Sequence, residues 1–190
     1  MKKSTIFFST ILAMTLTGCL DIKIRSEIPK KTYYDLDTNI LQEHQCKTFD
    51  LIWFGGVTST SYLDQTSILH KKSNGEVSTI ANTLWMDNPK EMFKTILVKN
   101  GSQKCLSFEN LSVEKPNQYL SIQLLFLGFV DEKSDIEFVY KIYDKNLQFK
   151  GMGTIHKEEP GTDIATLQKT AQSGINELLE ILGGPKNEAK

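Results

Sequence analysis

Charge of one sign, cysteine and long apolar runs are all scarce in this chain, and each scarcity removes a class of function. Lysine and arginine number 22 against 23 acids, a net charge of −1, so there is no basic surplus for a nucleic-acid backbone and no nucleic-acid partner is expected. Only three cysteines and three histidines occur in 190 residues, with no C-x-x-C pair; His44 lies near Cys46 but His70 and His156 are scattered, so no metal site is expected. No stretch approaches the about 20 consecutive apolar residues of a membrane span; the one apolar run, Ile6 to Leu16, is broken by Ser9, Thr10 and Thr15. Chemistry is equally hard to find. Gly151-Met152-Gly153 lacks the lysine of a phosphate loop, and Asp131, Glu132 and Asp135 lack the alternating twelve-position spacing of a calcium loop. Asp64 and His70, six apart, assemble no Ser-His-Asp set. The chain therefore reads as noncatalytic and without a cofactor.

What is present begins at the amino terminus. Met1 to Lys3 give a positive start, a short apolar segment follows, and Leu16-Thr17-Gly18 stand before Cys19. The segment resembles a bacterial lipoprotein signal, with a lipobox at Leu16-Thr17-Gly18-Cys19. That resemblance implies removal of residues 1–18, a diacylglycerol on the Cys19 thiol and an acyl group such as palmitate on its new amino terminus. Three chains anchor far more firmly than one. Leu20, where enterobacterial lipoproteins retained in the inner membrane carry aspartate, implies an outer-membrane address with the body facing the periplasm.

Export would place Cys46 and Cys105 in an oxidising compartment, where they either pair as a disulfide or remain two buried thiols. Residues 19–32 read as lipidated terminus and tether, 33–184 as a single domain and 185–190 as a loose tail. Within the domain, 49–57 predicts a strand buried on both faces and bulged at Gly55-Gly56. A hairpin is expected through 67–80 with its turn at Asn74-Gly75. Asn88-Pro89-Lys90-Glu91 predicts a helix start with a capping box, and Gly101 its end. Strands over 119–130, 135–144 and 147–156 suit an antiparallel meander, with Ile136, Phe138, Tyr140 and Ile142 on one side and Asp131, Glu132 and Asp135 in a solvated turn. Ile164, Leu167, Ala171, Ile175, Leu178 and Leu182 predict a closing helix over 163–182. The fold class is α/β of the α+β kind: a mixed, mainly antiparallel sheet carrying two helices.

The chain as a whole resembles the ABC-type transport auxiliary lipoproteins, which accompany MCE-type phospholipid transport systems such as the paraquat-inducible complex. The likeness rests on Tyr33, Tyr34 and Leu36 after the anchor, on Tyr62, Leu63, Asp64, Gln65 and Ile68, on Trp85, Asp87 and Glu91, and on the closing helix. Ser61 stands where that family usually has proline, and Thr66-Ser67 intervenes before Ile68. The resemblance implies a fold like the amino-terminal domain of TolB, an MCE-domain protein as partner, and docking of the periplasmic transport assembly at the outer membrane. A second reading is a periplasmic module that itself binds phospholipid or another hydrophobic ligand. Tyr33, Tyr34, Tyr62, Leu63 and Asp64 are the candidate partner contacts. The pair Tyr62-Leu63 stands out because an apolar pair among polar turn residues has no local packing reason.

Overall fold

A computed structural model describes residues 29–38, 44–110 and 115–184. Cys19 and the lipobox, most of the tether and the tail lie outside the described residues. The chain divides into Met1–Lys30 and Lys31–Lys190, and every strand and helix among the described residues belongs to the second of these.

Its strands are β1 (Thr32–Tyr34), β2 (Asp50–Ser59), β3 (Ser67–Lys71), β4 (Val77–Trp85), β5 (Leu106–Glu109), β6 (Gln118–Val130), β7 (Lys133–Asp144) and β8 (Phe149–Pro160). Two helices complete it: α1 (Pro89–Gln103) and α2 (Ile164–Gly183). Alternating apolar residues along the first half of β6 and along β7 set which side meets the core, and short turns join β6, β7 and β8 as an antiparallel meander. On its other side β6 is shared. β2 runs parallel to residues 118–124, and after the single 3-10 turn Ser61–Leu63 the chain resumes as β3, parallel to 128–130. β5 adds to β2, and β4 then β1 add to β3. The result is an open, mixed sheet in which antiparallel pairing predominates, with both helices on one face.

That covered face is the core. Phe138 meets Phe93 of α1 edge-on at 4.9 Å between centroids, and Gly174 of α2 brings its backbone close over Ile136 and Phe138. Each fully buried phenylalanine or isoleucine there stabilises by about 1.5–3 kcal/mol relative to exposure. The amino-terminal leg is fastened across the helices: Leu36 is buried, Gln168 donates to the Asp35 carbonyl, and Lys99 pairs with Asp37.

Several local expectations need correction. β2 is not buried on both faces: Ile52 and Phe54 enter the core while Trp53 and Gly55 face out, because helices cover only one side. The bulge does fall at the glycines, between Phe54 and Val57, with Gly56 at φ 114°. Asn88 caps α1 by accepting from Lys90 N at 3.2 Å, but its own N–H donates to Asp87 at 2.7 Å rather than to Glu91, so no capping box forms. Gly101 does not end α1; it is buried within the helix, where a Cβ would run into the Phe108 ring. The indole N–H of Trp85 is buried with no hydrogen-bond acceptor among the described residues. No helix among them is long and apolar enough to cross a membrane.

Candidate functional site

The uncovered face of the sheet carries side chains at the phase opposite to the core, and at one end those side chains are aromatic. Trp53 pairs with Tyr119, Tyr119 with Tyr143, and Tyr143 with Phe149. Directly opposed residues point to the same side, so β2, β6, β7 and β8 present a row of four aromatics about 14 Å wide. The rings touch: Trp53 and Tyr119 lie 5.6 Å apart between centroids, Tyr143 and Phe149 5.8 Å. Leu147, held at the β7–β8 turn with φ 61°, closes the row, and a cavity of about 220 Å³ opens between Trp53, Tyr119, Tyr143 and Leu147. Phe149 remains 60% exposed and Leu147 62%. The Trp53 indole leans along its strand over Gly55, where a Cβ would come within 3.0 Å of the ring. A glycine at that position leaves the indole lying flat.

At the other end of the same face the chemistry is ionic. Asp135, expected in a solvated turn, is a strand residue whose side chain is only 7% exposed. It accepts from His156 Nε2 at 2.9 Å, and Glu158 Oε1 lies 3.6 Å from the same nitrogen while its other oxygen takes Lys133 Nζ at 2.7 Å. Burial pushes the Asp135 carboxyl above the usual carboxylate range, with His156 pulling against it. The hydrogen bond to Asp135 raises the His156 imidazole, and the bond from Lys133 holds Glu158 low. A second group joins His44 to Cys46 and Cys105, with His44 Nε2 3.7 Å from Cys105 Sγ. There the two cysteines are bonded to each other, Cα atoms 5.6 Å apart, tying the segment before β2 to the start of β5.

The residues singled out from sequence are dispersed. Tyr33 is 57% exposed on the outermost strand β1, whereas Tyr34 packs partly against the core. Tyr62 sits beyond β4 and β3 from β1, its hydroxyl donating to the Leu125 carbonyl where β6 bulges. Leu63 has a packing reason after all. It is 1% exposed in the core, so it offers nothing to a partner. Asp64 is held by Lys90 Nζ at 2.7 Å and Ser59 Oγ at 2.8 Å, which keep its carboxyl below the usual range. The aromatic row was missed because its neighbouring members are 6 to 66 positions apart in the chain; the available signal was an aromatic at the outward phase of each of four strands.

No family model and no curated protein matches the sequence. Solved structures share the fold. An uncharacterized protein superimposes with a TM-score of 0.65 at 16% identity, covering 82% of this chain and 97% of that one. Protein XCC0632 from Xanthomonas campestris, of the family DUF330, gives 0.61 at 13% identity over 80% and 93% of the two chains. The hypothetical protein CT253 from Chlamydia trachomatis gives 0.53 at 6% identity over 72% and 97%. At these identities what is shared is the arrangement of sheet and helices.

Proposed function

We propose that this chain is a noncatalytic lipoprotein, anchored in the outer membrane through acylated Cys19, that docks the periplasmic assembly of an ABC/MCE-type phospholipid transport system. An MCE-domain protein is the partner, and the body is of the kind found in the amino-terminal domain of TolB. The observation that carries the docking function is the four-strand aromatic row on the uncovered face. Tyrosine and tryptophan offer large, stiff contact area with a polar end and concentrate where proteins meet. β1 runs antiparallel to β6, so Thr32 lies toward the carboxyl end of β6 and the row lies at its amino end. The chain therefore enters the domain at the end away from the aromatics, which leaves the row open to a partner. The alternative, a body that carries lipid, would meet at the row an apolar cavity of about 220 Å³, below the roughly 300–1,000 Å³ of ordinary ligand pockets.

A photo-crosslinker placed at Phe149 or Leu147 in intact cells should recover an MCE-domain protein, and Phe149→Ser should reduce that yield. Recovery of an unrelated outer-membrane protein, with no MCE component, would sink the reading.

A further inference from the structure

We infer that Asp135, His156 and Glu158 form a binding site for one zinc ion on the open face at the β7–β8 edge, independent of the aromatic row. Three ligand atoms already converge there: His156 Nε2 stands 2.9 Å from Asp135 Oδ2 and 3.6 Å from Glu158 Oε1, and all three lie within 4.8 Å of one another. Ligands around a tetrahedral zinc at about 2.0–2.2 Å are themselves roughly 3.3 Å apart, so the ion fits with small side-chain shifts. One N–H cannot serve both carboxylates, and at 3.6 Å the Glu158 oxygen is beyond hydrogen-bond range. A divalent cation in place of the Nε2 proton satisfies both; the ring keeps its Nδ1 proton and releases the other to solvent.

The ligands are also preset. Asp135 and Glu158 are directly opposed in the β7–β8 ladder, and His156 opposes Glu137. Lys133 occupies the second Glu158 oxygen and leaves Oε1 facing the ring, the kind of outer contact that orients a metal ligand. Beside them a cavity of about 700 Å³ reaches Glu158, with Lys133, Asp131 and His70 also in its lining, and leaves room for a water as the fourth ligand. Calcium and magnesium want six or more oxygens and suit the set poorly. The other histidine-bearing group has spent its sulfurs on the disulfide, so it offers no thiolate.

Zinc chloride titrated into the untagged, chelator-stripped full chain by calorimetry should show one ion per chain, with an accompanying rise in melting temperature. His156→Gln should abolish uptake. Asp135→Asn and Glu158→Gln should each weaken it at least about tenfold, since even outer-shell losses cost 10–100-fold. His44→Ala should leave it unchanged. The proposal is overturned by absence of zinc uptake, by uptake that survives His156→Gln but vanishes in His44→Ala, or by magnesium chloride giving the same thermal shift. It is also overturned if Glu158→Gln keeps the parent's zinc affinity at an unchanged metal-free melting temperature.

Discussion

Strand β7 faces two ways, and its two sides obey different rules. Ile136 and Phe138 are sealed beneath α1 and α2, with Tyr140 and Ile142 packed partly against the same core. The opposite phase grades from buried Asp135 at one end, through exposed Lys141, to Tyr143 at the other, about 27 Å away. On the covered side identity is dictated by packing: apolar volume at Ile136 and Phe138, and at Ser134 a buried hydroxyl paired with Thr170. On the open side nothing in the fold asks for an aromatic row or for a buried carboxylate paired with an exposed histidine. Residues that folding does not require are where function is to be sought.

That contrast can be broken most directly at matched phenylalanines. Phe138→Ala should lower stability by about 3–5 kcal/mol in denaturant titration. Phe149→Ser should change it by no more than about 0.5 kcal/mol. Equal losses would mean that the open-face row is structural. Replacing Cys46 and Cys105 together by serine releases a link spanning 59 positions and should cost about 4 kcal/mol by loop-closure entropy, without altering crosslinking from Phe149 in whatever fraction stays folded. A smaller effect is expected where α1 meets β5: Gly101→Ala forces a methyl group against the Phe108 ring and should destabilise by about 1–3 kcal/mol. An unaffected denaturation midpoint would show that the helix can shift away.

The smallest effect belongs to the ionic end and depends on pH. The Asp135 hydrogen bond raises His156 above its ordinary 6.5, so the folded state binds that proton more tightly than the unfolded chain does. Stability from this group is fully present below 6.5 and is lost as pH rises through the raised value. Asp135, itself raised by burial, acts in the same direction at more acid pH. In chelator, the denaturation midpoint should therefore be slightly higher at about pH 6 than at about pH 8, and His156→Gln should flatten that slope. Glu158 and Glu137 also face the ring and favour its charged form, so a slope that persists in His156→Gln would point to another group.

Much of this molecule is written locally. The 3.6-residue recurrence from Ile164 to Leu182 and the Asp163 cap define α2, and the period-two alternation in β7 fixes which side meets it. Asn88-Pro89 opens α1, and Asn74-Gly75 turns the hairpin, because backbone restrictions act within a few residues. Two things were not local. Leu63 looks like a surface residue because its neighbours are polar, yet the core it enters is built from distant strands. Periodicity also tells that β2 is apolar without telling that only one face is covered, since that depends on where both helices land.

By itself, then, the sequence determined most of the elements and the inward phase of β7 and α2, which follow from short-range sterics and the spacing of apolar side chains. Only the tertiary structure decided that β2 and β3 would share one edge of β6, and that Trp53, Tyr119, Tyr143 and Phe149 would fall into one row. It alone brought His156 to Asp135 across 21 positions. Strand order and register are set by how all the faces pack at once, and no window of residues contains that sum.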